Sequence, residues 1–465
     1  MTGTDTPLDL LATIVAPATA PGRGALAIVR LSGPDAHTIA RGTIDRWPHA
    51  PRVVVLSAIR DASGAELDQS IVVRYDAPAS FTGEDAVEIT THGGPVVSTT
   101  IIASLIARGA RLALPGEFTR RAVLNGKLDI LQAEATGDLV NASSRAAQTA
   151  ALRQLDGGLS RRVLALREQL IALEALIAYD IDFPEEDDGP ISPARISRAI
   201  DELITALSAL LATARVGQLV REGAVVVLAG APNVGKSSLF NALLGESRAI
   251  VTDIPGTTRD AIEAVIDTPT IPLRLVDTAG LRDAVDPVER IGVEISTSYL
   301  ARAAVVLGCV DSVDSARALQ QALGAIRSEA PLVVVWTKVD IRRPSSSELH
   351  AVRQMTGADA TSTASAETGE GLAELLTVVA ETIAADGGQI ALDAPVLTHE
   401  RHRYGVSRAL DEVTAFREQW SRGELPATVA AVHLREAVRS LEDLIGAVDV
   451  EDILDEVFRR FCVGK

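Results

Sequence analysis

A chain of 465 residues is too long for one core and divides into roughly three domains. Its composition, 47% hydrophobic and 23% charged, is that of a soluble globular protein, and without an apolar run of about 18 residues no membrane span is expected. The net charge of −18 excludes a global basic footprint for RNA: residues 1–127 hold 12 basic and 12 acidic side chains, so the excess acid lies beyond them and bound RNA would need a local basic patch or a partner.

The opening MTGTDTPLDL has neither a basic segment nor a long apolar one, so no signal peptide is expected and the reading is cytoplasmic. Residues 8–127 read as mixed α/β. Runs rich in β-branched residues (Ala25–Leu31, Val53–Ile59, Ile71–Tyr75, Ala86–Thr90) alternate with Gly/Pro/Asp turns, and a helix is predicted over Pro95–Arg108 from Val97, Ile101, Ile102, Leu105 and Ile106. Four loops combine glycine with a charged or imidazole group: Pro21–Gly24, Phe81–Asp85, His92–Pro95 and Pro115–Phe118. They read either as plain connectors or as the lining of a ligand site.

From Leu128 the pattern turns to long helices. One carries Leu164, Leu170, Ile171, Leu173, Leu176 and Ile177 and ends at Phe183-Pro184, before an acidic connector, Glu185–Asp188. A second starts at Ser192-Pro193, with proline at the first helical position, and runs through Ile196, Ile200, Leu203, Leu207 and Leu210 toward Val220. Helices return at Thr398–Trp420, Pro426–Ile445 and Val450–Phe461. The expected division is 1–127, 128–222, 223–386 and 387–465, with the third part inserted into one helical domain made of its two flanks.

The inserted part carries the clearest chemistry. Ala224–Ala229 is a valine-rich strand, and Gly230-Ala-Pro-Asn-Val-Gly235-Lys236-Ser237 fits G-x-x-x-x-G-K-[ST]. Asn233, Val234, Gly235, Lys236, Ser237 and Ser238 are therefore expected at nucleotide phosphates. Backbone N–H groups and a helix N-terminus face the anion, Lys236 reaches the β- and γ-phosphates, and Ser237 ligates Mg²⁺. Asp277, Thr278, Ala279 and Gly280 follow an apolar strand, where Asp277 holds Mg²⁺ through water and the Gly280 N–H senses the γ-phosphate. Thr337, Lys338 and Asp340 follow a second strand. A carboxylate at Asp340 accepts from N1 and N2 of guanine, donors that adenine lacks there, and Ser365-Ala366 closes over the base edge. The nucleotide is GTP. Where Ras-type GTPases carry a water-orienting glutamine, this chain has Leu281, leaving Arg282, Glu289 and Arg290 as candidates on a segment, Leu281–Gly292, that reads as a switch.

Two cysteines far apart, Cys309 and Cys462, argue against a disulfide framework and fit a reducing compartment. Cys462 stands in the closing Phe461-Cys462-Val-Gly464-Lys465. There a frayed tail with an incidental thiol and a thiol activated by a nearby cation both remain open.

PGRG at 21–24, IVRLSGP at 28–34, FTGED at 81–85, HGGP at 92–95, the run at 115–131, GAPNVGKSSL, IVTDIPGTTRD at 250–260, DTAGLR at 277–282 and the terminal CVGK together resemble the MnmE (TrmE) family of tRNA-modification GTPases over nearly the whole chain. The resemblance implies a multidomain α/β and all-α fold: an N-terminal α+β folate-binding-like domain, a discontinuous helical domain and an inserted Ras-like P-loop GTPase domain. It implies a homodimer that binds a tetrahydrofolate derivative (5,10-methylene- or 5-formyl-tetrahydrofolate) through Arg30, Glu88 and Lys127, with Lys465 approaching the same pocket and Cys462 as a further catalytic candidate. It also implies an FAD-dependent partner of the MnmG type and addition of an aminomethyl or carboxymethylaminomethyl group at C5 of the wobble uridine of certain tRNAs. For hydrolysis it implies two facing G domains, K⁺ held by Asn233, Thr252, Ile254 and Thr257, Mg²⁺ held by Ser237 and Thr258, and water positioned by Glu289. Asp253, Pro255 and Gly256 of the same loop join the nucleotide site. Thr337 departs from the asparagine common at that position, which should keep base choice and weaken binding. The rival readings are a regulatory GTPase that binds RNA or ribosomes and modifies nothing, and a scaffold with a degraded GTPase. The folate-like loops and CVGK speak against the first, and intact Lys236, Ser237 and Asp277 against the second.

Overall fold

The computed structural model describes residues 9, 11–182, 193–246, 262–268, 271–277, 299–325, 330–387, 395–422, 427–446 and 464. The chain forms two compact units, 1–137 with 442–465, and 138–441.

The first unit is built on strands β1 (Ile14–Pro17), β2 (Leu26–Ser32), β3 (Val55–Arg60), β4 (Glu66–Tyr75), β5 (Ala86–His92) and β6 (Arg111–Leu112), with helices α1 (Ala36–Arg41), α2 (Pro95–Ile106), α3 (Glu117–Leu124) and the start of α4 (Ile130–Asn141). The sheet order is β3-β4-β5-β2-β1-β6. Strand alternation sorts the side chains by face. Val29, Leu31, Val87, Ile89 and Val72 bury against Ile39 of α1 and Ile101 and Leu105 of α2. On the opposite face Ile14 and Ala16 pack under Phe118 of α3. There Arg30 and Glu88 stand cross-strand partners in the β2–β5 register. The four predicted strands and the Pro95 helix are present, β4 begins five residues earlier than its apolar run, and α2 stops at Ile106. β1, β6, α1 and α3 are not among the predicted elements, because each is too short to show a period.

The second unit joins helices to a nucleotide-type sheet. After α4 come α5 (Arg145–Leu155), α6 (Gly158–Asp182), α7 (Pro193–Ala212) and α8 (Ala214–Glu222). The apolar stretch Ala194–Glu222 is long enough by composition to cross a bilayer. Here it breaks at Thr213 into α7 and α8 instead. Ile196, Ile200, Leu203, Leu207 and Leu210 of α7 are buried, as are Val163, Leu166, Leu170 and Leu173 of α6, both at helical spacing. Helix α8 feeds β7 (Ala224–Ala229), which is followed by α9 (Lys236–Glu246), β8 (Ile262–Ile266), β9 (Leu273–Asp277), β10 (Val305–Val310), α10 (Val313–Ala325), β11 (Leu332–Trp336), α11 (Ser346–Thr356), β12 (Ala360–Thr363) and α12 (Leu372–Gly387). The order is β12-β11-β10-β7-β9-β8, parallel except for the edge strand β8. Both faces are covered, so the strands read as unbroken apolar runs, and all of β10 is buried. Helices α13 (Glu400–Arg422) and α14 (Ala427–Ile445) then return to the helical part, where α13 packs on α7.

Within this helical part a polar cluster ties α4 to α8 and to the start of α13. Asp138 accepts from Arg221 Nε at 2.9 Å and pairs with His399 Nε2 at 2.8 Å. Burial pushes the Asp138 carboxyl up, but the His399 hydrogen bond and the charges of His399 and Arg221 outweigh it and hold it below the ordinary carboxylate range. The acidic connector Glu185–Asp188 and the expected helix Val450–Phe461 lie outside the described residues.

Candidate functional site

The turn after β7 runs over the carboxyl end of the sheet, where ligands of such folds bind. At Gly230 φ is +152°, and a β-carbon would stand 2.5 Å from the Cys309 carbonyl oxygen, so only glycine lets the loop cross β10 this closely. Asn233 takes φ +61°, and the chain enters α9 at Lys236. Lys236 Nζ donates to the carbonyls of Gly230 and Ala231 at 3.1 and 2.9 Å, which curls the lysine over its own loop. Ser237 Oγ donates to Asp277 Oδ2 at 2.8 Å, and Asp277 is buried at the end of β9. A hydroxyl and a carboxylate so close form an all-oxygen donor set that fits Mg²⁺.

The base-reading side is assembled from β10, β11 and β12. Lys338 Nζ donates to the Asn233 carbonyl at 2.6 Å and pairs with Asp311 at 2.9 Å. Burial raises the Asp311 carboxyl, yet the Lys338 hydrogen bond and charge leave it below its usual range. Ser365, fully buried after β12, donates its hydroxyl to Asp340 Oδ1 at 2.5 Å. That bond fixes the carboxylate beside a cavity of about 610 Å³, whose walls include Gly235, Ser238, Thr337, Lys338, Asp340 and Ala366. The volume suits a nucleoside, and Asp340 presents acceptors to it. Cys309 is buried behind the loop, and its thiol is pushed up to about 12, which makes it inert.

Residues 233–238, Asp277, Thr337, Lys338, Asp340, Ser365 and Ala366 lie around this loop and its cavity. Thr252–Thr258, Thr278–Gly280 and Glu289 lie outside the described residues. Asp311 was missed by sequence reading; the signal available was an acidic residue directly after the apolar run 305–310.

A second constellation sits on the face of the first unit's sheet that carries α3. Arg30 Nε donates to Glu88 Oε1 at 2.9 Å, and Tyr75 Oη to Glu88 Oε2 at 3.2 Å. Burial and the Glu88 charge raise the Tyr75 phenol, which therefore stays protonated. The Arg30 guanidinium lies 5.7 Å from the ring centroids of both Phe81 and Phe118. Lys127 Nζ donates to the Pro78 carbonyl at 3.1 Å, so Arg30 and Lys127 flank the same 78–83 loop.

That loop is anchored from below. Glu84 accepts from Ser32 Oγ at 2.7 Å and from Arg121 at 3.1 Å. Arg121, 1% exposed, also donates to Glu117 Oε1 at 2.9 Å, and Glu117 takes two bonds from Arg111 at 2.6 and 2.8 Å. Tyr75, Phe81, Phe118 and this Arg–Glu chain escaped site prediction, although both phenylalanines lie in loops already singled out. Of the terminal tetrapeptide, Gly464 is described: φ is +102°, and a β-carbon there would stand 1.9 Å from the Pro17 carbonyl oxygen. Pro17 pairs with Val29, the neighbour of Arg30. Cys462 and Lys465 are outside the described residues.

Set beside known proteins, residues 13–127 match the family model of the GTP-binding protein TrmE N-terminus, and 130–462 that of the MnmE helical domain. The tRNA modification GTPase MnmE of Azoarcus sp. (strain BH72) is 45% identical over 97% of this chain and 98% of its own length. Those of Neisseria meningitidis serogroup C (strain 053442) and Aquifex aeolicus (strain VF5) are 41% and 38% identical over 98% and 97% of this chain, and 100% and 99% of their own lengths. Among solved structures, the G domain of the T. maritima FeoB iron transporter aligns at 28% identity with 34% of this chain and 98% of its own length, TM-score 0.27.

Proposed function

The chain belongs to the MnmE family of tRNA modification GTPases, and from that premise we propose how its residues divide the work. The fold is that of the family: an N-terminal domain, a helical domain and a P-loop G domain. We place them at 1–127, at 128–222 with 387–465, and at 223–386.

The observation that carries the reading is the convergence around the loop after β7: Lys236 at its neck, Ser237 on Asp277 at 2.8 Å, and Asp340 fixed by Ser365 at 2.5 Å. GTP lies with its phosphates along residues 233–238 and its base against Asp340. Mg²⁺ is held by Ser237 with Thr258, Asp277 acting through water. K⁺ is held by Asn233 with oxygens of Thr252, Ile254 and Thr257, and supplies positive charge where the transition state develops negative charge. Glu289 positions the water in place of the glutamine absent at Leu281, Asp253, Pro255, Gly256, Thr278, Ala279 and Gly280 join the nucleotide site, and hydrolysis proceeds when two G domains face each other.

In the N-terminal domain, a tetrahydrofolate derivative is bound by Arg30, Glu88 and Lys127, with Lys465 and Cys462 brought to the same pocket by the tail. A guanidinium–carboxylate pair flanked by Phe81 and Phe118 fits a planar heterocycle with a donor–acceptor edge. The one-carbon unit goes to C5 of the wobble uridine, with an FAD-dependent partner of the MnmG type, in a cytoplasmic homodimer.

Two measurements decide this. GTP turnover is expected to rise at least about tenfold in K⁺ over Na⁺, and Asn233→Ala to erase the difference; equal rates in the two salts remove the potassium role. Mass spectrometry of wobble uridines from cells lacking this chain should show the C5 modification missing, and an unchanged modification removes the tRNA chemistry.

A further inference from the structure

Thr337 is where this chain departs from the common guanine motif, and its hydrogen bonds show a consequence. A guanine base offers donors at N1 and N2 and acceptors at O6 and N7. Asp340, a carboxylate, serves the donor edge only. An asparagine at 337 would bring a carboxamide with two hydrogens and an oxygen, enough to brace the protein and still donate to the base. A threonine hydroxyl has one hydrogen.

That hydrogen is already committed. Thr337 Oγ1 lies 2.6 Å from the Val234 carbonyl oxygen and 3.1 Å from that of Val310, and neither can donate in return. Its backbone N–H is committed as well, to the Val310 carbonyl at 2.8 Å. The residue is 4% exposed although it lines the nucleoside cavity. The neighbouring Lys338 Nζ is turned to the phosphate loop and β10 instead, spending two of its three hydrogens on the Asn233 carbonyl and Asp311.

We propose that Thr337 is a positioning residue, a strut fastening the phosphate loop to β10 and β11, and that this protein reads guanine through its N1/N2 edge while leaving N7 unread. The idea rests on the guanine-nucleotide reading above and adds a specificity that the motif alone does not imply. Nucleotides altered at N7 are therefore accepted as well as the natural ones. Selectivity against adenine is unaffected, because it comes from Asp340.

The test is a cycle of four affinities on the full chain, measured by displacement of a fluorescent GDP: GDP and 7-deaza-GDP, each against wild type and Thr337→Val. In wild type the two nucleotides should agree within about twofold. Thr337→Val keeps the volume but strips the Val234 carbonyl of its partner, so both should weaken by the same factor, about three- to tenfold. Threonine reading N7 would show otherwise: wild type would lose about tenfold or more on 7-deaza-GDP, and Thr337→Val would cost GDP alone. Either result overturns the proposal. Thr337→Asn adds an independent arm. It should create a preference for GDP over 7-deaza-GDP of about five- to tenfold that wild type lacks, and the same preference already present in wild type refutes the idea. Should Thr337→Val not fold, the wild-type pair and Thr337→Asn still decide. A wild type that binds neither nucleotide would instead refute the GTPase reading itself.

Discussion

Glu117 is the most exacting test of how the N-terminal unit holds its loop. Its carboxylate has no exposed surface and takes four hydrogen bonds: two from Arg111 at 2.6 and 2.8 Å, one from Arg121 at 2.9 Å and one from the Leu114 N–H at 2.9 Å. Removing one partner of a buried pair leaves the other charge stranded, at a cost of about 3–5 kcal/mol. Arg111 is 31% exposed and can turn to water, and Arg121, only 1% exposed, keeps Glu84 and the Ala12 carbonyl as partners. Glu117→Ala should therefore fall near the lower end, about 3 kcal/mol. Glu117→Gln keeps one acceptor but turns an amide donor toward other donors, for about 2 kcal/mol.

The pH dependence carries a definite sign. Burial pushes the Glu117 carboxyl up, but the Arg111, Leu114 and Arg121 hydrogen bonds more than reverse this and hold it below the ordinary value. A depressed folded pKa contributes stability that is complete above the unfolded pKa and is lost as pH falls through the folded one, so wild type should weaken below about pH 4.5. Glu117→Gln has no proton to gain there, and its acid limb should be flatter. Hydrogen exchange of the β1, β2 and β5 amides reads both effects in this unit directly. A loss under about 1 kcal/mol with an acid limb like that of wild type would refute the buried-charge account.

Two further substitutions probe the sites. Asp340→Asn trades two acceptors for one acceptor and one donor, the complement of xanthine; GDP affinity should drop about 100-fold while xanthosine diphosphate gains, and parallel losses on both would place Asp340 away from the base. Gly464→Ala puts a methyl where the Pro17 backbone already is. It should free the C-terminal tail, seen as faster exchange at residues 464–465, and weaken folate binding by about tenfold without unfolding the sheet, whereas an unchanged tail would mean that Gly464 is not held there.

The nucleotide site was legible in the sequence because its signals are contiguous. A valine run, a glycine turn and a helix start determine one another locally, and Asp277 and Thr337–Asp340 each sit directly after an apolar strand. Helices α6 and α7 were equally plain, since their buried residues recur at helical spacing over five turns or so. The second constellation was not legible from the residues alone. Arg30 meets Glu88 across 58 positions because β2 and β5 happen to register there, and His399 reaches Asp138 across 261. Strand register, the packing of α3 over one corner of the sheet, and the meeting of Gly464 with β1 depend on which surfaces are buried together. No short window of residues encodes such pairings. Thr337 shows both halves of the matter: the sequence marks it as a departure from the motif, but only the positions of the Val234 and Val310 carbonyls reveal where its single hydrogen goes.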